Sequence, residues 1–160
     1  MAKSVIEEYL DSLPDDVIVI NVSYKLIKYL PDLSRFKKLE KLYCYNNELR
    51  LLPVLPENLR ILHCSNNELT SLPILPKKLE NLYCNDNQLT SLPVLPENLE
   101  ILYCSNNELT SLPILQENLR DLSCYDNQLT LLPVLPKKLI KLNCSSNQIT
   151  SLPILQENLT

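Results

Sequence analysis

Between residues 39 and 158, the apolar positions of the chain recur at a fixed interval of twenty residues. Each interval follows the one-letter pattern L-x-x-L-x-C-x-x-N-x-L-x-x-L-P-x-L, with Ile149 replacing one leucine in the last unit. The six full units are residues 39–58, 59–78, 79–98, 99–118, 119–138 and 139–158. A constant period of this length predicts a repeat solenoid, because one such unit cannot bury its apolar face without neighbours on both sides.

Within each unit, the apolar residues at positions 4 and 6 flank one exposed residue, which is the two-residue period of a short β-strand. Stacked units then place these strands side by side in a parallel sheet. The Leu-Pro-x-Leu-Pro segment restricts the return arm to extended or polyproline II backbone. Twenty residues also leave too little chain for a helix in that arm.

Two segments precede the regular repeats. Residues 17–38 form a degenerate first coil, in which Val17, Ile20 and Val22 match the first apolar positions of the repeat and Lys25 replaces the asparagine. Residues 1–16 are predicted to form a helical cap. Their apolar residues from Ser4 to Leu13 (Val5, Ile6, Tyr9, Leu10, Leu13) lie on one side of a helix, and Ser4 and Glu7 have the spacing of a capping box. The whole chain, 1–160, is therefore predicted to be a single domain, with 159–160 opening an unfinished repeat.

Composition narrows the possible functions. The chain has no glycine, so glycine-rich phosphate loops are excluded. Its formal net charge of -4, with scattered lysines, does not favour binding to nucleic acid or to an anionic membrane. No apolar run approaches the length of about 18 residues that a membrane-spanning helix needs. The first residues, 1–8, do not resemble a signal peptide.

The asparagine column suggests a structural ladder. It recurs three residues after each cysteine, at Asn47, Asn67, Asn87, Asn107, Asn127 and Asn147. An asparagine side chain both donates and accepts hydrogen bonds, so we expect it to bond to its own coil and to the next one. The alternative is that asparagine only favours the local turn.

Cysteine occupies position 6 of each repeat, as Cys44, Cys64, Cys84, Cys104, Cys124 and Cys144. We interpret these residues as small apolar side chains of the core, because Val22 holds the same position in the first coil. Disulfide bridges and a thiolate metal site are the alternatives. However, side chains in parallel register point the same way, and C-x-x-C spacing is absent. No metal or cofactor is predicted, and free thiols indicate a reducing, cytoplasmic compartment, which could be that of a host cell.

The outward columns of the sheet carry the candidate binding residues. Position 5 holds an aromatic stripe, flanked at position 3 by isoleucines and at position 7 by further tyrosines. These partner-binding candidates are Tyr43, His63, Tyr83, Tyr103, Ile61, Ile101, Tyr45 and Tyr125. Rigid amphipathic rings are typical anchors of protein interfaces. Alternatively, tyrosine is simply a favourable residue for a half-exposed strand.

Catalysis is not predicted. His63 is the only histidine, and no spacing supports a Ser/His/Asp or Cys/His arrangement. Glu80 and Glu100 lie one repeat apart on a charged column, which is typical of a solvated face.

The repeat resembles a leucine-rich repeat over residues 17–160. Its length and its Leu-Pro-x-Leu-Pro arm are similar to the short repeats of bacterial effectors. The cysteine column and the near-identity of the units also resemble repeat proteins of giant viruses of amoebae. The resemblance implies a curved parallel sheet on a concave face and a non-catalytic role in binding a protein partner there. Ubiquitin-ligase effectors of this type carry a separate catalytic domain after the repeats. None follows here, so ligase activity is not implied.

The end of the chain suggests two alternative functions. Since Thr160 follows Leu159 directly, the last coil is expected to leave its core side chains partly uncovered (Leu142, Cys144, Ile149, Leu152, Leu155). Such an end could associate with a second copy, which would make the chain a structural or self-assembling unit. A frayed last repeat, or a piece cut from a longer chain, would explain the same pattern. A third possibility is a recognition arm for a separate enzyme, such as a ubiquitin ligase.

Overall fold

A computed structural model of the chain describes residues 3–155 and 159–160. Its elements are one helix, α1 (Val5–Asp11), and seven three-residue strands. The strands are β1 (Val19–Asn21), β2 (Lys41–Tyr43), β3 (Ile61–His63), β4 (Asn81–Tyr83), β5 (Ile101–Tyr103), β6 (Asp121–Ser123) and β7 (Lys141–Asn143). They form one parallel sheet in chain order. This arrangement confirms the predicted solenoid, with the sheet on the concave face.

Each strand is centred on the leucine at position 4 of its repeat. From β2 to β7 the register is offset by twenty residues, so that Leu42 pairs with Leu62 and Leu62 with Leu82. The cysteine at position 6 lies just beyond the strand. Its backbone still continues the hydrogen bonding, because Cys44 N donates to His63 O at 2.8 Å. Strand positions 3 and 5 flank the buried leucine and are half-buried in β2 to β6.

A single apolar core runs along the solenoid from the helix to the sixth repeat. It consists of the leucines at positions 1, 4, 11, 14 and 17 together with the cysteine column. Leu39, Leu42, Cys44 and Leu49 are fully buried, as are their equivalents in the following repeats up to Leu119. In the last repeat, Leu142, Cys144 and Ile149 are only partly buried against this core.

The tight turn after each strand is made by the residue at position 8, which has left-handed backbone. These residues have φ between 52° and 57° (Asn46, Asn66, Asp86, Asn106, Asp126, Ser146). Asparagine and aspartate tolerate this region better than other residues that carry a Cβ atom. The chain therefore makes a turn that often needs glycine without containing any glycine.

The asparagine at position 9 bridges two coils. Asn67 Nδ2 donates to Cys64 O and Ser65 O of its own coil and to Cys44 O of the preceding one, at 3.0–3.2 Å. Its Oδ1 accepts from Leu49 N, also of the preceding coil, at 3.0 Å. We expected bonds to the following coil, but the second set runs to the preceding one. The strand has ended at this point, and its last carbonyl groups take donors from the asparagine instead.

The N-terminal helix covers the first coil. Ser4 is the N-cap, its Oγ accepts from Glu7 N, and Glu7 Oε2 accepts from Ser4 N at 2.7 Å. Ile6 and Leu10 are buried, whereas Val5 is 85% exposed. Tyr9 is exposed as well, so the expectation that Val5 and Tyr9 share the buried side is wrong. The helix begins at Val5, and the buried side of its two turns is defined by Ile6 and Leu10.

Candidate functional site

The aromatic column of position 5 lies on the outward face of the sheet. The parallel register pairs Tyr43 with His63, His63 with Tyr83, and Tyr83 with Tyr103. Because strand side chains alternate between faces, burial of the central leucine directs these rings away from the core. One ring from each of four neighbouring strands is thus held by the sheet itself.

The rings are in contact along this column. The ring centroids of His63 and Tyr83 are 5.1 Å apart, and those of Tyr83 and Tyr103 are 5.3 Å apart with an edge-on geometry. Tyr43 and His63 are more widely spaced, at 6.4 Å. Offset and edge-on arrangements at these distances are favourable for aromatic pairs.

Two further tyrosines extend the cluster toward the first coil. Tyr45, at position 7, stacks on His63 with a centroid distance of 4.3 Å and an interplanar angle of 25°. Tyr24 meets Tyr45 edge-on at 5.3 Å. We call the six side chains together the aromatic surface (Tyr24, Tyr43, Tyr45, His63, Tyr83, Tyr103).

Tyr24 was missed in the sequence because it lies in the degenerate coil. It aligns with Asn46 of the first regular repeat and has the same left-handed backbone, with φ of 57°. This alignment places it beside the outward column at position 7. Position 8 forms the turn after the strand, so the degenerate coil has to be aligned onto the turn, as well as onto the core and the outward columns, for this residue to be found.

The other predicted site residues occupy different places. Ile61 and Ile101 are half-buried at position 3, beside the aromatic column. Tyr125 lies in the fifth repeat, where Asn106 Nδ2 donates to its Oη at 3.2 Å. None of the ring contacts among residues 3–155 includes Tyr125, so the structure leaves it outside the aromatic surface.

The electrostatics of the aromatic surface are governed by burial. Partial burial lowers the pKa of His63 because it disfavours the charged imidazolium. Burial also raises the pKa of Tyr103, and its hydrogen bond of 3.0 Å to Asp121 adds to that shift. Both groups are therefore neutral at physiological pH, and the rings present a surface without charge.

The charged column at position 2 borders this surface. Arg60 contacts Glu80 at 2.5 Å, and Arg120 lies 3.9 Å from Glu100. Glu80 and Glu100 therefore each have an arginine partner from a neighbouring coil, which is the geometry of a solvated, structural face. Further along the sheet, Ser123 and Asn143 continue position 5, and Ser105 Oγ bonds to Ser123 Oγ at 2.9 Å. The outward face is thus aromatic in its first repeats and polar in its last ones.

The cysteines lie inside the solenoid, away from the aromatic surface. All six are free thiols, and all except Cys144 are fully buried. Burial raises the pKa of Cys64 to about 12 and that of Cys124 to about 12.

Among the described residues, no group of three His, Cys, Asp or Glu side chains could hold a metal ion. No helix in the described parts of the chain is long and apolar enough to cross a membrane.

Family models and solved structures both match this architecture. Leucine Rich Repeat models match residues 57–97, as two copies, and residues 98–116. No curated protein sequence matches the chain.

Three solved structures of bacterial effectors are similar to the chain. YopM from Yersinia enterocolitica WA-314 is 36% identical, with a TM-score of 0.84, over 92% of this chain and 37% of its own. YopM from Yersinia pestis, a leucine-rich effector protein, is 36% identical, with a TM-score of 0.86, over 92% of this chain and 42% of its own. The repeat domain of a Shigella effector is 32% identical, with a TM-score of 0.82, over 92% of this chain and 66% of its own. The chain thus spans about two fifths of the length of the YopM chains.

Proposed function

We propose that the chain, which belongs to the leucine-rich repeat proteins and has repeats of the bacterial-effector type, is a non-catalytic scaffold that binds a protein partner on its concave sheet. The similarity to giant-virus repeat proteins stays a resemblance of the sequence. The observation that carries the proposal is the aromatic surface. Its six rings come from the coils that contain β1 to β5, and they form one continuous set of contacts.

The aromatic surface has the properties of an interface anchor. Its rings are fixed by mutual contact and by the strands beneath them, so binding would cost little side-chain entropy. Each ring offers an apolar face and a polar edge, and aromatic residues of this kind are enriched at the centre of protein interfaces. The ion pair of Arg60 with Glu80 provides a polar border beside the uncharged rings. A protein surface with an apolar centre and a polar rim would fit this arrangement.

Tyr83 and Tyr103 are the residues to test, because they occupy position 5 in the third and fourth regular repeats and contact each other. The double variant Tyr83→Ala/Tyr103→Ala should lose capture of the partner by the immobilised full chain, measured by affinity purification with mass spectrometry. The matched control is Ser123→Ala/Asn143→Ala, which changes the same position 5 in the last two strands. Circular dichroism of both variants establishes that they are folded.

The outcome is clear in either direction. Loss of the captured protein in the tyrosine variant alone supports binding on the aromatic surface. Equal capture by both variants and the parent chain contradicts it. If the captured protein is the catalytic subunit of an enzyme, such as a ubiquitin ligase, the chain acts as the recognition arm of that enzyme.

A second candidate function is self-association through the last repeat. Leu152 and Leu155 are 56% and 47% exposed, although the leucines at these positions are mostly buried in the earlier repeats. A second copy of the chain would cover them, and so would a further repeat. Leu152→Ser/Leu155→Ser should then weaken concentration-dependent association in sedimentation experiments, while the tyrosine variant should leave that association unchanged.

We place the protein in a reducing compartment, the cytoplasm of its own cell or of a host. Six free thiols within one chain support this location, because oxidising compartments favour bridged cysteines. Localisation of the tagged full chain by cell fractionation tests this proposal, and recovery from an oxidising compartment alone would contradict it.

A further inference from the structure

The return arm carries a row of exposed apolar side chains that neither the core nor the aromatic surface uses. They occupy position 16, the variable residue of Leu-Pro-x-Leu-Pro, and form what we call the apolar stripe. Each is valine or isoleucine, with an exposed fraction between 80% and 90% (Val54, Ile74, Val94, Ile114, Val134, Ile154).

The fold does not require apolar residues in this row. In the first repeat, Leu52 and Leu55 point inward with 9% and 5% exposure, while Val54 between them points out with 80%. A polar residue would serve equally well at a position that packs against nothing. An uninterrupted row of exposed valine and isoleucine is instead typical of an interaction surface.

A column of charges runs beside the apolar stripe, at position 19. Its residues in the five fully described repeats are Glu57, Lys77, Glu97, Glu117 and Lys137, all of them exposed. In the first two repeats, residues of both rows line one pocket of about 580 Å³, among them Val54, Ile74, Glu57 and Lys77. None of the ion pairs among residues 3–155 and 159–160 involves this charge column.

We propose that the apolar stripe is the interface of a homodimer, in which two copies pack face to face and antiparallel with a two-fold axis at Val94. The charges at position 19 run negative, positive, negative, negative, positive from the first repeat to the fifth. In the proposed arrangement, Glu57 faces Lys137 of the second copy and Lys77 faces Glu117. Only Glu97, at the axis, faces a like charge.

Other two-fold arrangements match these charges less well. An axis between the third and fourth repeats would place Lys77 opposite Lys137 and Glu97 opposite Glu117. An axis parallel to the stripe would put the two charge columns on opposite sides, where they cannot meet. The antiparallel arrangement keeps both columns on the same side, because its axis lies in the interface and perpendicular to the stripe.

The period of the stripe favours a second copy as the occupant. Its residues recur once in every twenty-residue repeat along the return arm. A second copy has the same period and stays in register throughout.

The available area indicates a weak dimer. Five side chains from each copy, at about 100 Å² each, set an upper limit of roughly 1,000 Å² on the total buried area, near the lower limit of specific interfaces. We therefore expect association that depends on concentration, with monomers predominating in dilute solution.

Cysteine cross-linking tests the position of the axis. In a Cys144→Ser background, where the remaining native thiols are buried, Val94→Cys should form a covalent dimer under mild oxidation. Val134→Cys alone should not, because it faces Val54 of the second copy. Combining Val54→Cys with Val134→Cys should restore the cross-link. Equal cross-linking of the Val94→Cys and Val134→Cys chains would overturn the proposed arrangement.

A charge exchange tests the pairing. Lys77→Glu/Lys137→Glu should weaken dimerisation at least about tenfold in sedimentation equilibrium, because four interfacial pairs become repulsive. Adding Glu57→Lys and Glu117→Lys should restore it. A chain in which the added lysines give no recovery would refute the pairing.

The apolar contribution has its own control. Ile74→Ser/Ile114→Ser replaces two stripe residues that face each other and should abolish the dimer. Ser71→Ala/Ser111→Ala alters exposed residues of the same two arms and should leave it intact. A parent chain that stays monomeric up to millimolar concentration would remove the proposal. Partner capture by the aromatic surface would be unaffected in every case, since the stripe contains none of its residues.

Discussion

The asparagine ladder inside the solenoid and the aromatic surface outside it share one twenty-residue period. The ladder keeps the same residue type in every repeat, whereas the outward positions do not. Each ladder residue bonds to backbone groups of two coils, as Asn87 does with Cys64 O and Cys84 O at 3.2 Å. Any coil of the same length needs that same asparagine. An outward residue such as Tyr103 contacts the side chains of its neighbours, so the next position in its column can hold serine, as Ser123 does. The interior is therefore uniform, and the exterior changes along the chain.

We expect the largest difference between the interior and the surface of the solenoid in the reactivity of the cysteine thiols. Burial raises the pKa of Cys64 to about 12, so its thiolate fraction, and with it its reactivity, should be far lower in the folded protein than in the unfolded chain. Without reductant, a thiol reagent should react with Cys144 first and with the other five only on unfolding. Fast reaction of several thiols in the native protein would show that the reagent can reach the interior of the solenoid, and would contradict this prediction.

The same shifts define a pH dependence of stability. The folded thiols have pKa values above those of the unfolded chain, so the unfolded state loses these protons first as pH rises. Their contribution to stability is fully present below a pH of about 8.5 and is progressively lost above it. Urea unfolding between neutral and alkaline pH would measure this loss, and an unchanged midpoint would contradict it.

Removal of a core leucine should give the largest change in stability among single substitutions. Leu82 is fully buried at the centre of β4, so Leu82→Ala should lower the free energy of unfolding by about 2–5 kcal/mol. Ile74→Ala is the control. Its side chain is 90% exposed, and its effect should stay within about 0.5 kcal/mol. Similar losses of unfolding free energy in the two variants would contradict the assignment of Leu82 to the core and Ile74 to an exposed row.

A break in the asparagine ladder should cost less. Asn87→Ala leaves Leu69 N without its acceptor and removes one of the two donors from each of three carbonyl groups, so we expect a loss of about 1–3 kcal/mol in chemical denaturation. Asn98→Ala removes one bond of 3.0 Å at an exposed site and should change stability by less than about 0.5 kcal/mol. A cost for Asn87→Ala as small as that would mean that asparagine acts only as a turn former.

We expect the smallest effect on stability at His63, which is half-buried between the core and the outward face of the sheet. Its pKa is lowered in the folded protein, so the unfolded chain binds a proton more readily as pH falls below about 6.5. The parent chain should therefore lose stability between neutral pH and pH 5 relative to His63→Phe. Parallel pH profiles of the two chains would contradict this expectation.

The sequence predicts the interior better than the surface, for a physical reason. The strands, the register, the cysteine column and the capping box follow from spacing, because the core allows each position only one orientation. The direction of the asparagine bonds could not be predicted, since the pattern is the same whether the side chain reaches forward or back. Tyr24 and Tyr125 show the limit on the surface. Whether two rings touch depends on rotamers and neighbouring polar groups, which the repeat does not specify.

Each ladder asparagine bonds only to its own coil and to the coil before it. This limits what has to change when repeats are gained or lost. Deleting one unit of twenty residues brings Asn and Cys partners of the same kind together across the new junction, so the backbone bonding stays complete. The fold can therefore grow or shrink in steps of one strand spacing, about 4.8 Å, without redesign of any interior position. Each such step shifts the order of outward residues, so a change in repeat number alters what the surface recognises while leaving the scaffold as it was.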